Sequence, residues 1–445
     1  MATRLIDRIC ESVCNPRALN PSERLQAQIA FEDTMAVAYA GWHEPVVQRI
    51  LPLCQGAAVP LLDGSLALSL EHAAMVHAVA GHALDYDDVH MTSVTHPSVV
   101  IVPALLALID QRPELGPRAL SAFAVGLSVN IALGEVLGFG HYDKGWHATS
   151  TIGPLAAAAA VCHLLGASPS VIRSALAIAA AQSGGLQRNF GTMAKPVQAG
   201  TAAAAGLRSA LFAQAGVTGS DDIFGPAGFF DLYAGANGGI ARDDVPIEVN
   251  MTSLSRKLFP CCYLTHRMIA GAFELHRLMA EAEVPKEAVI EVITPYGGTR
   301  PLTVSDPQTG LGGKFCAAYT VAAGLVQGHV GLADFEDEAV HRPRIRQLMT
   351  QIRVSEDRIE GNALVGIDRG SVRLRIQHAG QLLAEADITQ YPGSPGDPIT
   401  MDQLTAKITD CLARYNAASG AALDVGSFRA DLAARLGITE METMS

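Results

Sequence analysis

The sequence predicts a mainly α-helical protein with an inserted α+β domain. Three features of the 445-residue chain support this fold class. Up to about residue 250, long alanine- and leucine-rich segments recur with helical periodicity. Alternating β-branched segments occur only after Lys257, and a helical pattern returns at Met401. We therefore expect a large helical domain, residues 1–262 with 400–445, and a smaller α+β lid domain, residues 263–399.

The individual elements follow from periodicity and from the glycines and prolines between them. Six segments in the first part are typical of buried helices, and they cover residues 22–40, 66–84, 119–137, 154–165, 171–183 and 201–215. In the second part, 288–294 alternates like a strand, 315–326 is helical, and 343–354 runs from a helix into a strand. Residues 371–377 and 382–388 are strands joined by His378-Ala379-Gly380, which is a hairpin signal. Together the strands predict a meander-like sheet.

Composition and charge exclude several classes of function. Hydrophobic residues make up 49% of the chain and charged residues 17%, as in a well-filled globular core. The net charge is −12 without a run of lysine or arginine, so no nucleic-acid partner is expected. The N-terminus lacks an apolar signal core, and no apolar run reaches the roughly 20 residues of a membrane span. We expect a cytoplasmic protein without a membrane partner.

Neither the cysteines nor the histidines have the spacing of a metal site. The eight cysteines are scattered without a CxxC pair, which indicates reduced, buried thiols. His90/His96 and His141/His147 share a six-residue spacing, but the HExxH pattern is missing. The sequence therefore favours acid–base chemistry without a metal, and a metal-dependent hydrolase is the alternative.

A polar cluster at residues 81–97, GHALDYDDVHMTSVTHP, is the strongest functional signal. It lies between a predicted helix and a second apolar segment, at the edge of a core. It contains three carboxylates and three imidazoles, which are Asp85, Asp87, Asp88, His82, His90 and His96. A carboxylate can orient an imidazole there, and an imidazole can transfer protons near neutral pH. The alternative is an acidic helix terminus with solvated histidines.

The segment 138–153, GFGHYDKGWHATSTIG, is a second candidate. Its glycines permit tight turns, and His147 precedes three hydroxyl residues, Thr149, Ser150 and Thr151. We expect these hydroxyls to cap a helix that begins near Pro154, and we expect Thr149 to bind substrate. A plain loop with capping hydroxyls is the alternative.

Two lysine-containing segments complete the set. In 183–200, SGGLQRNFGTMAKPVQAG, the P-loop pattern fails because three residues separate Gly191 from Lys195. Lys195 stands among apolar and small residues, so a substrate carboxylate is a suitable partner, and a lysine that reaches solvent is the alternative. In 255–266, SRKLFPCCYLTH, we expect Lys257, Tyr263 and His266 to face substrate at the domain junction, although the charges also suit a linker.

These four segments resemble the MmgE/PrpD family, which includes 2-methylcitrate dehydratase, cis-aconitate decarboxylase and iminodisuccinate epimerase. The resemblance extends over nearly the whole chain, and GWHATSTIG, NFGTMAKP and CCYLTH are most similar to the epimerase branch. It implies a large helical domain, a smaller α+β lid domain, a homodimer, and no metal or organic cofactor. It also implies a di- or tricarboxylate substrate.

The same resemblance assigns roles to five residues on the family's active-site positions, which are Asp85, His96, His147, Lys195 and Lys257. The two lysines would bind substrate carboxylates and stabilise the charge of an enediolate. His96, oriented by Asp85, and His147 would transfer protons on opposite sides of a carbon. This arrangement suits dehydration or epimerisation.

Two alternative functions stay open. The family's decarboxylases have a threonine after the aspartates and a tyrosine before an Arg-Pro pair, whereas this chain has Val89 and Gly297, with Tyr296 adjacent. These differences disfavour decarboxylation of cis-aconitate. The other alternative is a catalytically inactive member that binds a metabolite, which the intact set of five residues disfavours.

Overall fold

The computed structural model describes residues 4–60, 62, 64, 67–235, 239–279, 283–357 and 370–441. Its helices are Leu5–Cys14 (α1), Pro21–Ala40 (α2), Pro45–Ile50 (α3), Leu70–Ala83 (α4), Ser98–Gln111 (α5), Ala119–Asp143 (α6), Ala148–Leu165 (α7), Pro169–Ala180 (α8), Ala194–Gln214 (α9), Phe229–Tyr233 (α10), His266–Leu278 (α11), Gly310–Gly313 (α12), Ala317–Gln327 (α13), Pro343–Met349 (α14), Met401–Ser419 (α15) and Val425–Leu436 (α16). Its strands are Val59–Pro60 (β1), Ala67–Leu68 (β2), Val89–His90 (β3), Leu254–Ser255 (β4), Val289–Pro295 (β5), Ile352–Asp357 (β6), Val372–His378 (β7) and Gln381–Ile388 (β8). The predicted fold class, mainly helical with an α+β part, is confirmed.

Sequence signals determine several helix ends. α2 begins after Asn20, whose side chain accepts the N–H of Glu23 while the carboxylate of Glu23 accepts the N–H of Asn20. Thr400 and Gln403 form the same reciprocal cap at the start of α15. Each such capping box satisfies two N–H groups that the helix cannot satisfy itself.

The larger of two compact units is helical. In it α9 packs closely against α4 and α7. A β-carbon at Gly200 would lie 2.7 Å from the carbonyl oxygen of Met75, and one at Gly206 would lie 2.7 Å from that of Pro154. Only glycine permits such close contacts between helices, so the small residues of this chain explain its dense core. The unit comprises Met1–Arg188, Met193–Arg256 and Thr400–Ser445.

Two core helices are long and apolar enough to cross a membrane by length and composition alone, although the sequence analysis expected no segment of that length. They are Pro113–Asp143, which includes α6, and Ala148–Leu165, which is α7. Within the fold, 89% and 94% of their apolar windows are buried, which is typical of helices in a protein core. Their hydropathy is therefore weak evidence for a membrane span.

The second unit, Asn189–Thr192 with Lys257–Ile399, contains a four-stranded sheet in the order β6-β5-β7-β8. The predicted hairpin is confirmed, because β7 and β8 pair antiparallel and Ala379 and Gly380 between them have positive φ angles of 49° and 79°. The predicted meander is wrong, because β5 pairs in parallel with β6. A parallel pair requires a long crossover, and here it contains α13 and α14.

Several helices begin at other residues than predicted, among them α9, which begins at Ala194 and not at residue 201. α4 begins at Leu70 after the capping hydroxyl of Ser69, because Ala67–Leu68 pair with Val59–Pro60 as a strand; residue 66 lies outside the described residues. α7 begins at Ala148, before Pro154. A proline inside a helix removes one hydrogen bond. Here the N–H of Gly184 compensates by donating to the carbonyl oxygen of Ser150 at 3.3 Å.

A buried ion pair connects the C-terminal segment to the core of the helical unit. Nζ of Lys407 on α15 lies 2.6 Å from Oδ1 of Asp33 on α2, and each side chain is only 1% exposed. The same Nζ donates to the carbonyl oxygen of Tyr86 at 2.9 Å and lies 4.0 Å from the centre of its ring. Tyr86 belongs to the polar loop predicted to carry function, so Lys407 supports that loop.

We expect Lys407→Met to lower the free energy of unfolding by about 3–5 kcal/mol, because the carboxylate of Asp33 would stay buried without its cation. Urea denaturation at pH 7 measures the loss. The double variant Asp33→Leu/Lys407→Met is the control, since removing both charges should recover most of the stability. A loss below about 1 kcal/mol in the single variant is the value of an exposed pair and would contradict the assignment.

Candidate active site

The loop between α4 and α5 has a compact, partly strained backbone. Asp85 has a φ of 52°, β3 pairs with β4, and His90 bridges to Thr95. A positive φ is uncommon outside glycine, costs on the order of 1–3 kcal/mol and concentrates at functional sites. The loop brings His82, at the end of α4, next to His96, just before α5, with ring centroids 4.7 Å apart.

Asp85 forms a buried ion pair with Lys195. Nζ of Lys195 lies 3.0 Å from Oδ1 of Asp85, and the two side chains are 6% and 4% exposed. Lys195 is in the first turn of α9, where the helix dipole adds to the positive potential. Nε2 of His96 lies 4.0 Å from the same carboxylate oxygen. The structure thus brings Asp85, His96 and Lys195 together, although they are far apart in the sequence.

Asp87 faces Nδ1 of His96, whereas Asp85 lies on the Nε2 side of the ring, and the orienting role of Asp85 stays a prediction. Oδ2 of Asp87 lies 3.3 Å from Nδ1 of His96 and 2.7 Å from Nδ1 of His82. The carboxylate of Asp85 is also engaged by Lys195. Burial alone would raise the pKa of Asp87, but His82 and His96 outweigh burial and hold it well below its usual range.

The third carboxylate of the loop, Asp88, holds the loop backbone in place. It forms an ion pair with Arg256 and accepts hydrogen bonds from the hydroxyl of Ser98 and, at 3.3 Å, from its N–H. Burial raises the pKa of Asp88 to about 6, although Arg256 and Ser98 lower it. Asp88 therefore anchors the loop to the start of α5 and to the residue after β4.

His147, the residue before α7, joins the cluster. Its ring stacks on that of His82, with centroids 5.9 Å apart and planes inclined by 18°. Nδ1 of His147 lies 2.8 Å from Oε1 of Gln198. The same Oε1 accepts the N–H of Leu186 at 3.2 Å, and Nε2 of Gln198 donates to the carbonyl oxygen of Leu186 at 3.3 Å. This pairing fixes the orientation of the amide, so Nδ1 of His147 carries the proton and Nε2 the lone pair.

Two imidazoles of the cluster, those of His82 and His147, are held neutral. Burial lowers the pKa of His82 to about 4, although Asp87 opposes the shift. Burial, and after it the neighbouring His82 and Lys195, hold the pKa of His147 well below its usual range. A neutral imidazole accepts a proton, so the site is prepared for proton abstraction at neutral pH.

The hydroxyls after His147 do not cap a helix, contrary to the prediction, because α7 already begins before them. Oγ1 of Thr149 instead accepts the N–H of His96 at 3.1 Å, which ties the polar loop to α7. The hydroxyl of Ser150 donates to the carbonyl oxygen of Gln198 at 3.0 Å. The substrate-binding role of Thr149 stays a prediction.

Lys257, Tyr263 and His266 belong to the α+β unit. His266 is fully buried, and its ring centroid lies 5.4 Å from that of Tyr263 and 5.6 Å from that of Tyr391. Lys257 is fully buried as well. The roles that the resemblance assigns to these residues stay predictions.

Three residues that shape the cluster had no predicted role, and these are His82, Asp87 and Gln198. His82 and Asp87 were visible as members of the polar loop, but which carboxylate meets which ring depends on the backbone at Asp85. Gln198 follows Lys195 by one helical turn on α9, and only this spacing could have indicated it.

Among the described residues, His82, Asp87 and His96 form the group whose ligand atoms, all within 4.8 Å of one another, could hold a metal ion. The 2.7 Å distance from Nδ1 of His82 to Oδ2 of Asp87 is also that of a charge-assisted hydrogen bond. The absence of a metal cofactor stays a prediction.

The buried histidines predict a loss of stability at acidic pH. Burial lowers the pKa of His82, His90 and His141 to about 4 and that of His147 well below its usual range. The unfolded chain protonates these rings near pH 6.5, so acidification favours unfolding by on the order of 1.4 kcal/mol per pH unit and ring. Asp88 has the opposite effect, because its raised pKa lets the folded state bind a proton first.

The free energy of unfolding from urea titrations should therefore fall between pH 6.5 and 4.5. A constant or rising value would contradict the claim that these buried rings are neutral in the folded protein.

Comparison with known families identifies the chain. The model of the MmgE/PrpD N-terminal domain matches residues 8–238, and that of the MmgE/PrpD C-terminal domain matches residues 259–424. The chain belongs to the MmgE/PrpD family. The predicted resemblance is thereby confirmed at both ends of the chain.

Several curated members of the family are similar to this MmgE/PrpD chain. A cis-aconitate decarboxylase of Homo sapiens is 29% identical over 298 residues, 63% of this chain and 60% of that protein. A cis-aconitate decarboxylase-like protein of Aspergillus oryzae is 30% identical over 304 residues, 62% of this chain and 63% of that protein. A cis-aconitate decarboxylase of Aspergillus terreus is 24% identical over 420 residues, 87% of this chain and 84% of that protein. The matches to the human and mouse proteins each span 60% of the relative's length.

Proposed function

We propose that this protein is a lyase or an epimerase that moves a proton at a carbon next to a carboxylate of a di- or tricarboxylic acid, without a metal or organic cofactor. One observation carries the proposal: neutral imidazoles, a buried lysine and a buried aspartate meet in one cluster. It combines a base for the proton with a cation for the negative charge that develops on the carboxylate.

The reaction follows from the positions of the side chains. His96 or His147 takes the proton from the carbon through Nε2, and the ammonium of Lys195 stabilises the enediolate that forms. Dehydration then requires a proton for the leaving hydroxyl, whereas epimerisation requires a proton on the opposite face of the carbon. The imidazolium formed by the abstraction can give its proton to the leaving hydroxyl, and a second imidazole can serve the opposite face when its own Nε2 has taken up a proton, so the cluster supports both reactions. Its buried position reduces competition from water.

A second candidate is decarboxylation of cis-aconitate, which the names of the similar proteins favour. Loss of carbon dioxide also leaves a carbanion next to a carboxylate, which Lys195 would stabilise and a histidine would protonate. The side chain of Val89, 3% exposed on β3, offers no hydroxyl where the family's decarboxylases have one. We therefore place proton transfer without decarboxylation first. We also expect a homodimer in the cytoplasm.

Proton NMR of the purified protein with a panel of acids tests this proposal: 2-methylcitrate, citrate, cis-aconitate, iminodisuccinate and malate. A new vinyl signal from a hydroxy acid identifies a hydro-lyase, and inversion of a stereocentre identifies an epimerase. Itaconate-type product with release of carbon dioxide would favour the second candidate. If the spectrum of no acid changes and no acid shifts the melting temperature of the protein, the proposed function is overturned in favour of an inactive family member or another substrate class.

A further inference from the structure

One carboxylate oxygen contacts two imidazoles in the helical unit. Oδ2 of Asp87 lies 2.7 Å from Nδ1 of His82 and 3.3 Å from Nδ1 of His96. The side chains of Asp87 and His82 are completely buried, and that of His96 is 13% exposed. Water therefore has little access to compete for these contacts, and the carboxylate determines the state of both rings.

The contacts fix where the ring protons are. An ionised carboxylate only accepts hydrogen bonds, so Nδ1 of His82, 2.7 Å from Oδ2 of Asp87, carries a hydrogen, and the same oxygen 3.3 Å away disfavours a lone pair on Nδ1 of His96. Nε2 of His82 and Nε2 of His96 then carry the lone pairs. Gln198 imposes the same arrangement on His147 through its amide oxygen. All three rings of the cluster are thus held with Nε2 as the basic atom.

We propose that Asp87 is the positioning residue of this site, because its single oxygen Oδ2 holds both His82 and His96 with Nδ1 protonated and Nε2 as the basic atom. The proposal rests on the proposed proton-transfer function for its catalytic consequence. The tautomers themselves are a property of the protein without substrate.

The shared carboxylate also limits how many protons the pair can take up. When His96 accepts a proton, Asp87 stabilises the imidazolium at close range. A second imidazolium on His82 would lie next to the first, with ring centroids 4.7 Å apart, and one carboxylate cannot compensate both. Of these two rings, only that of His96 is partly exposed, so His96 exchanges protons with substrate. His82 stays neutral and supports the ring of His147, 5.9 Å away.

The neighbouring Asp88 provides a matched control. It is one residue further along, equally buried, and carries a negative charge, but its partners are Arg256 and Ser98 instead of imidazoles. Neutralising Asp88 therefore perturbs the loop without touching the ring contacts. A comparison of the two aspartates separates positioning of the rings from general support of the loop.

Nitrogen-15 NMR of histidine-labelled, substrate-free protein at pH 7 tests the tautomers. The spectra should show His82 and His96 protonated on Nδ1, with the two signals assigned by their loss in His82→Gln and His96→Gln. Asp87→Asn should move the proton to Nε2 on at least one ring, because the amide can donate to Nδ1, whereas Asp88→Asn should leave both tautomers unchanged. Protonation of both rings on Nε2 in the wild-type protein would overturn the proposal, even if Asp87→Asn fails to fold.

Activity supplies the second measurement. With a substrate identified, Asp87→Asn should lower kcat by on the order of 10³–10⁴-fold, the scale for neutralising a carboxylate that orients a catalytic imidazole, with a much smaller change in KM. Unchanged kcat in a folded Asp87→Asn protein would overturn the positioning role. If no acid on the panel is turned over, the proposed function fails, while the tautomer result still decides the assignment of Asp87.

Discussion

Replacing Lys195 with methionine is expected to lower kcat/KM by about 10²–10³-fold, the scale of a lost preorganised stabiliser of negative charge. The structure places its ammonium 3.0 Å from Oδ1 of Asp85, within the histidine cluster. In the proposed reaction this charge stabilises the enediolate in the transition state, so kcat falls together with kcat/KM. Methionine keeps most of the apolar length of the side chain and removes only the charge.

Stability must be measured separately in this variant. Without Lys195, the carboxylate of Asp85 stays buried without its cation, which costs about 3–5 kcal/mol. The double variant Asp85→Asn/Lys195→Met removes that charge and serves as the control for folding. Lys144→Met controls for the loss of a lysine, because Nζ of Lys144 donates to the carbonyl oxygen of Ala234 in an exposed contact. Near wild-type kcat/KM in folded Lys195→Met protein would remove Lys195 from the mechanism.

His96→Gln is expected to lower kcat by about 10²–10⁴-fold, the usual contribution of a general acid–base group. His96 is the imidazole of the cluster that solvent reaches, with 13% of its side chain exposed, whereas that of His82 is completely buried. Glutamine retains a polar group near Asp87 but cannot take up a proton. Steady-state kinetics with the substrate identified by NMR measures the change.

His163→Gln is the matched control for the removal of a buried histidine. His163 lies on α7 outside the cluster, with Nδ1 2.7 Å from the carbonyl oxygen of Val13 and Nε2 2.9 Å from Oγ of Ser121. Its replacement should lower the stability of the protein and leave kcat of the folded fraction close to that of the wild type. An equal loss of kcat in both variants would show that the effect of His96→Gln reflects packing instead of chemistry.

The residue types of the site could be predicted from the sequence, but their pairing could not. The motifs indicated Asp85, His96, His147 and Lys195, and the structure brings these four together in the helical unit. Which carboxylate faces His96 depends on the left-handed backbone at Asp85 and on the arrival of Lys195 about 110 residues later in the chain. Neither leaves a local pattern in the sequence.

The fold shows the same division between local and long-range information. Helix periodicity and the hairpin turn are local, and both were predicted correctly. The parallel pairing of β5 with β6 depends on a long crossover that contains helices, so strand pattern alone favoured a meander. α7 begins earlier than predicted because a distant N–H, that of Gly184, replaces the hydrogen bond that Pro154 cannot donate.

The central claim is that this site transfers a proton between a histidine and a carbon next to a carboxylate. Its most direct test is to incubate the protein with its substrate in D₂O and to locate deuterium by NMR and mass spectrometry. We expect an epimerisation to place solvent deuterium at the carbon next to a carboxylate, and a dehydration to release to water a deuterium carried by that carbon of a labelled substrate, in each case at a rate that His96→Gln strongly reduces. Complete conversion that neither places solvent deuterium at that carbon nor removes deuterium from the labelled substrate there would contradict the account.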